Sequence, residues 1–200
     1  MGKIKTYVAM PHPPIVIPEV GRGEEKKIKS TYDDCECIGR SIAEIKPDTI
    51  TVITPHGAMF SDAISLSFEK SISGSLKQFR APEVDMNFEI DLDLTLRIID
   101  KSDENDIPTA KVTTSFLKKY GKAYELDYGS MVPLYFVKEK YSSFKLVHIT
   151  YGGLSPMQMY RFGRVIKEAV EESSKNVVFI ASGDLSHRLK DEGTFTLDIR

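Results

Sequence analysis

Short runs of β-branched and apolar residues alternate with stretches of helical period, and that alternation leaves few folds open. Ile4 to Met10 reads as a first strand. Apolar positions then recur at Ile28, Tyr32, Cys35, Ile38, Ile42 and Ile45, a three-and-four spacing that lines one face of a helix. Pro47 ends that helix, and Thr49 to Thr54 is a β-branched run short enough to be a buried strand. The same order returns late in the chain. Lys145 to Thr150 reads as a strand, and Ser155-Pro156 opens a helix with a capping hydroxyl and a first-turn proline. Met159, Phe162, Ile166, Ala169 and Val170 form its buried stripe, and Asn176 to Ala181 is the next strand. Two βαβ units predict an α/β protein with a parallel sheet.

The middle of the chain carries weaker signals. Ala63 to Phe68 and Ser71 to Phe79 are expected to pair as an antiparallel hairpin through Ser73-Gly74-Ser75. Leu92 to Ile99 reads as a helix, Asp100 to Asp106 as a solvated acidic turn, and Ala110 to Thr114 as a short strand. A helix from Gly129 to Lys140 is expected after the turn Leu126-Asp127-Tyr128-Gly129. With 200 residues, 41% of them hydrophobic, residues 1–200 are read as one domain. Ser182 to Arg200 shows no helical pattern, so one side of the sheet is expected to lack cover. The expectation is a domain lacking its C-terminal part, or one completed by a second copy or a partner domain on that side.

A formal charge of -2 argues against a surface built to neutralise phosphate, so nucleic acid is not an expected partner. No apolar run approaches the roughly 18–20 residues of a membrane span, and Met1-Gly2-Lys3-Ile4-Lys5 leads into a strand rather than a secretory apolar core. A soluble, cytoplasmic protein with no membrane partner is expected. Cys35 and Cys37 are too close for ordinary disulfide geometry and too few for a thiolate metal cage.

Three of the four histidines sit where an apolar run meets a Pro- or Gly-bearing loop. His12 follows Met10-Pro11, His56 follows Thr54-Pro55, and His187 follows Ser182-Gly183-Asp184-Leu185-Ser186. Carboxyl ends of neighbouring parallel strands face one crevice, where distant residues converge on a ligand. Neutral imidazole binds iron, zinc or copper, and two histidines with a carboxylate leave positions open on ferrous iron. His12 and His56 are the first candidates for metal ligands, and proline presets each loop. His187 is a third ligand or an acid/base, with Asp184 able to orient it. His148 lies inside a strand and reads as structural. Glycine and serine patterns for nucleotide binding or a hydrolase elbow are absent.

Met10-Pro11-His12-Pro13-Pro14, Thr54-Pro55-His56-Gly57, the segment Glu125 to Leu134, and Ser182 to Leu189 together resemble the class III extradiol ring-cleavage dioxygenases. The likeness is to their catalytic B-type (LigB-like) subunit, including the branch found with Memo-like and radical-SAM partner genes. It implies a three-layer αβα sandwich with a mainly parallel central sheet. It also implies a non-haem Fe(II) held by His12 and His56, and His187 as acid/base. The implied substrates are a small catechol-like aromatic and dioxygen. The family pattern Leu-Asp-His-Gly stands here as Leu126-Asp127-Tyr128-Gly129, so a phenol replaces an assisting imidazole. Tyr128 can donate a hydrogen bond, but an ordinary phenol, with a pKa near 10, shuttles protons poorly at neutral pH. The family's glutamate ligand lies well beyond the position of His187. Asp191, Glu192 and Asp198 fall in no recognisable ligand motif, so the third ligand is unassigned. Two other readings stay open: a non-catalytic Memo-like metal-binding or scaffold protein, and a Zn(II) hydrolase using His12, His56 and His187.

Overall fold

A computed structural model describes residues 1–184. In chain order, the elements are β1 (Lys3–Met10), α1 (Pro18–Gly21), α2 (Lys29–Ile45), β2 (Thr49–Thr54), β3 (Ile64–Ser67), β4 (Ser71–Leu76) and β5 (Ala81–Glu89). There follow α3 (Leu92–Glu104), β6 (Thr109–Val112), α4 (Thr114–Lys118), α5 (Tyr128–Lys138), β7 (Lys145–Thr150), α6 (Pro156–Glu171) and β8 (Asn176–Ser182). Six strands form the central sheet in the order β1-β8-β2-β7-β3-β6. Every neighbouring pair is parallel except β3 and β7.

Strand periodicity sorts the side chains into two cores. Ile50 and Val52 of β2, Leu146 of β7, and Val178 and Ile180 of β8 pack with Cys35 and Ile42 of α2 and Met131 to Val137 of α5. Val147 and Ile149 of β7 and Val177 of β8 turn to the opposite face, where Leu94 and Ile98 of α3 meet Phe162, Ile166 and Val170 of α6. Helices therefore cover both faces, and the expected mainly parallel αβα arrangement is found. Each fully buried Leu, Ile or Phe contributes roughly 1.5–3 kcal/mol, so both helical layers are held mainly by these stripes.

The helix ends follow local chemistry. Ser155 caps Gln158 and Gln158 reaches back to Ser155, a reciprocal capping box, with Pro156 in the first turn. At the end of α2 Lys46 turns left-handed (φ 50°), and Pro47 follows. Asp91 caps α3 through the Leu94 amide at 3.1 Å, and also accepts from Thr49 Oγ1 and Lys175 Nζ, each at 2.5 Å.

Two expectations are corrected. β3 does not pair with the Ser71 strand; it lies between β6 and β7, buried on both faces. β4 instead pairs antiparallel with β5, and the reversal runs through Lys77–Phe79 and the left-handed Arg80 (φ 61°). Gly74 is a strand residue, where a Cβ would meet the Leu126 carbonyl at 2.7 Å. Its reason is close approach rather than a turn. The acidic stretch is also partly helical, because Ile98, Ile99 and the buried Ser102 continue the inward stripe of α3. As for the expected gap in cover, Tyr7 on β1 is 62% exposed, with its ring 5.9 Å from Phe179. Most of the segment on which that expectation turned, residues 185–200, lies outside the described residues.

Candidate metal and substrate site

β1, β8 and β2 lie side by side and run the same way, so the loops that follow them open on one edge of the sheet. His12 leaves the first, Asp184 the second and His56 the third. His12 Nε2 and His56 Nε2 approach to 2.9 Å, with the rings edge to face at 4.8 Å. His12 is buried and His56 opens to solvent. Metal–nitrogen bonds of about 2.1 Å at right angles place two nitrogens about 3.0 Å apart. The pair thus has the spacing and donor type of two adjacent ligands on a six-coordinate ion. Asp184 pins the first loop: its Oδ1 accepts the His12 amide at 3.2 Å, and Oδ2 lies 3.4 Å from His12 Nε2. Among the described residues, no three His, Cys, Asp or Glu side chains are gathered as a ready metal cage.

Tyr128, the first residue of α5, stacks on His56 with ring centres 4.3 Å apart, and its hydroxyl lies 2.9 Å from His56 Nε2. Burial, and then the carboxylates of Asp184 and Asp127, push its phenol above the usual tyrosine value. At neutral pH the group is a hydrogen-bond donor, not a base.

The support beneath this pair comes from Asp127, the cap of α5. Its Oδ1 accepts from Thr54 Oγ1 at 2.6 Å and the Ser130 amide at 3.1 Å. Its Oδ2 accepts from Ser130 Oγ at 3.0 Å and His148 Nε2 at 3.1 Å. Thr54 in turn accepts the His56 amide at 3.2 Å. Burial alone would push this carboxyl up; the bond from His148 and its charge, then Thr54 and Ser130, hold it down at about 2. One carboxylate therefore ties the His56 loop to the start of the helix that carries Tyr128. His148 is satisfied inside its strand, as expected, with Ser67 Oγ 2.8 Å from its Nδ1.

His12 rests on Ser182, the last residue of β8, whose Oγ lies 2.9 Å from His12 Nδ1 and also donates to the Gly129 carbonyl. Asp127, Thr54 and Ser182 were not singled out for these roles from the sequence. The legible signal was a hydroxyl closing each of β2 and β8, in register with the core positions that face α5. His187, Asp191, Glu192 and Asp198 lie outside the described residues. Beside His56 and Tyr128 opens a cavity of about 260 Å³, lined also by His148, Ser67, Leu126, Lys77, Lys122 and Tyr124. Drug-sized ligands occupy roughly 300–1,000 Å³, so this volume suits a smaller molecule.

Residues 6–199 match the family model of the catalytic LigB subunit of aromatic ring-opening dioxygenase. The chain belongs to this LigB family. Protein CA_C1420 of Clostridium acetobutylicum is 51% identical over 189 residues, which cover 94% of this chain and 40% of that relative. The chain thus spans about two-fifths of the length of the curated relative it matches. LigB-type dioxygenases open aromatic rings with dioxygen and generally use a metal, usually Fe(II). None of the helices among the described residues is long and apolar enough to cross a membrane.

Proposed function

We propose that this LigB domain is an extradiol dioxygenase that opens a small catechol-like ring, with His12 and His56 as ligands of ferrous iron. The observation that carries the reading is the 2.9 Å approach of the two Nε2 atoms beside a small cavity at the carboxyl ends of parallel strands. Bound ferrous iron would supply Lewis acidity and a common template for the diol and dioxygen. The chain's own residues do the rest. His12 and His56 occupy one side and leave the cavity side open. Tyr128 presents a protonated phenol to whatever lies beside His56, and so orients a substrate oxygen without removing its proton. His187, matched by family resemblance, is the group that moves protons, since an ordinary imidazole titrates near pH 6.5. A cytoplasmic setting goes with this reading, because there free thiols such as Cys35 and Cys37 stay reduced.

Tyr128 in place of a histidine favours a second reading, a metal-binding scaffold of Memo type without turnover. An oxygen electrode separates the two. Iron-loaded chain given a panel of catechols should consume oxygen only with diol present, with uptake abolished in His12→Ala and His56→Ala. His187→Ala should keep its metal and lose turnover. No diol-dependent uptake by the iron-loaded protein would favour the scaffold.

A further inference from the structure

We propose that Ser182 is a positioning residue that fixes the tautomer of His12, and that Pro133 enforces the arrangement from inside α5. The consequence for metal binding rests on the reading of His12 as a ligand; the tautomer does not.

The argument begins with a missing donor. In a regular helix the amide of residue 133 would bond to the carbonyl of Gly129, four residues earlier. Pro133 lies inside α5 and has no amide hydrogen, and a proline ring within a helix clashes with the carbonyl four residues earlier. Gly129 is buried, so its carbonyl needs another donor. Ser182 supplies it: the last residue of β8 shares the face of Val178 and Ile180 that packs against α5, and its Oγ donates to the Gly129 oxygen.

A hydroxyl has one proton. With that proton committed to a carbonyl, which only accepts, Ser182 Oγ can only accept from its second buried partner, His12 Nδ1 at 2.9 Å. His12 Nδ1 must carry hydrogen. In the neutral ring Nε2 then keeps its lone pair towards His56 Nε2 at 2.9 Å; Asp184 Oδ2, 3.4 Å from the same nitrogen, favours the opposite form, and the shorter bond at Ser182 outweighs that longer contact. The other tautomer would set two lone pairs against each other at Ser182, or turn the hydroxyl away and strand the buried Gly129 carbonyl. The preference expected from one such buried bond is roughly tenfold or more. A neutral imidazole with hydrogen on the far nitrogen is the form that binds a metal, and partners of that far nitrogen commonly set it.

Long-range proton–nitrogen NMR on the metal-free, nitrogen-15-labelled chain reads the tautomer directly. Wild type should show His12 protonated at Nδ1. Ser182→Ala should populate the Nε2-protonated form and weaken Co(II) binding, followed by its visible absorption, about 10- to 100-fold. Ser182→Thr keeps a hydroxyl and should restore both. Pro133→Ala returns an amide donor to Gly129 without touching Ser182 or His12, and should shift the population in the same direction. It carries the test if Ser182→Ala fails to fold. A wild-type His12 protonated at Nε2 overturns the proposal, as does a tautomer that neither Ser182→Ala nor Pro133→Ala changes. If wild type shows the Nδ1 form, both variants shift it, and the chain binds no Co(II), the tautomer assignment is supported and the metal reading fails.

Discussion

Replacing Asp127 with asparagine separates its capping role from its charge. Asparagine caps helices as well as aspartate, so the bond to the Ser130 amide should persist. What disappears is the second carboxylate oxygen, which accepts from Ser130 Oγ and His148 Nε2. The wild-type carboxyl is held at about 2, and an unfolded aspartate titrates near 3.9. Because the folded value lies below the unfolded one, the group contributes fully above about pH 4, roughly 2–3 kcal/mol. That contribution is lost as pH falls through about 2. Urea denaturation followed by circular dichroism at pH 7, 4, 3 and 2.5 reads the difference. Asp127→Asn should be less stable than wild type at pH 7, with more than half of the charge-dependent gap gone near pH 2.5. A gap of the same size at every pH would refute the claim that the buried charge, rather than the cap, ties the site together.

Three further outcomes follow from the same geometry. Gly129→Ala would place a Cβ 2.6 Å from Thr54 Oγ1, 2.9 Å from Asp127 Oδ1 and 3.0 Å from His56 Cδ2. It should cost roughly 1–3 kcal/mol by overpacking, read from the urea midpoint, and weaken divalent-metal binding measured by titration. Tyr128→Phe keeps the ring stacked on His56 and removes only the hydroxyl; metal affinity should hold, while any diol-dependent oxygen uptake falls about tenfold or more. Lys175→Met removes the charge beside the buried Asp91, whose carboxyl burial would raise but which Lys175, Thr49 and the Leu94 amide hold below the usual range. It should destabilise the chain by about 1.5–3 kcal/mol at pH 7. The difference in thermal midpoint from wild type should shrink as pH falls below the ordinary carboxylate range.

The parallel core was readable because both-face burial demands near-continuous apolar or β-branched runs, and Thr49 to Thr54 and Val177 to Ala181 are such runs. The β4–β5 ribbon was harder, because Ser71 to Leu76 is small and polar and Gly74 imitates a turn. The alternation of Val84, Met86 and Phe88 that marks β5 went unread in the sequence. At the site, His12 and His56 announced themselves by position, each just past a strand and behind a proline. Their supports did not. Thr54 and Ser182 are ordinary hydroxyls until β8 is known to lie between β1 and β2, and Asp127 looks like a helix cap until His148 is seen behind it. Pro133 reads only as a helix irregularity until Ser182 is found on the carbonyl it leaves without a helical donor.

Calorimetric titration of ferrous iron into oxygen-free wild type, His12→Ala and His56→Ala bears on the metal pair without relying on any substrate. One ion per chain in wild type, lost in both variants while circular dichroism shows the fold intact, is the predicted result. Undiminished binding in either variant, or none in wild type, would contradict the assignment of His12 and His56 as the ligands.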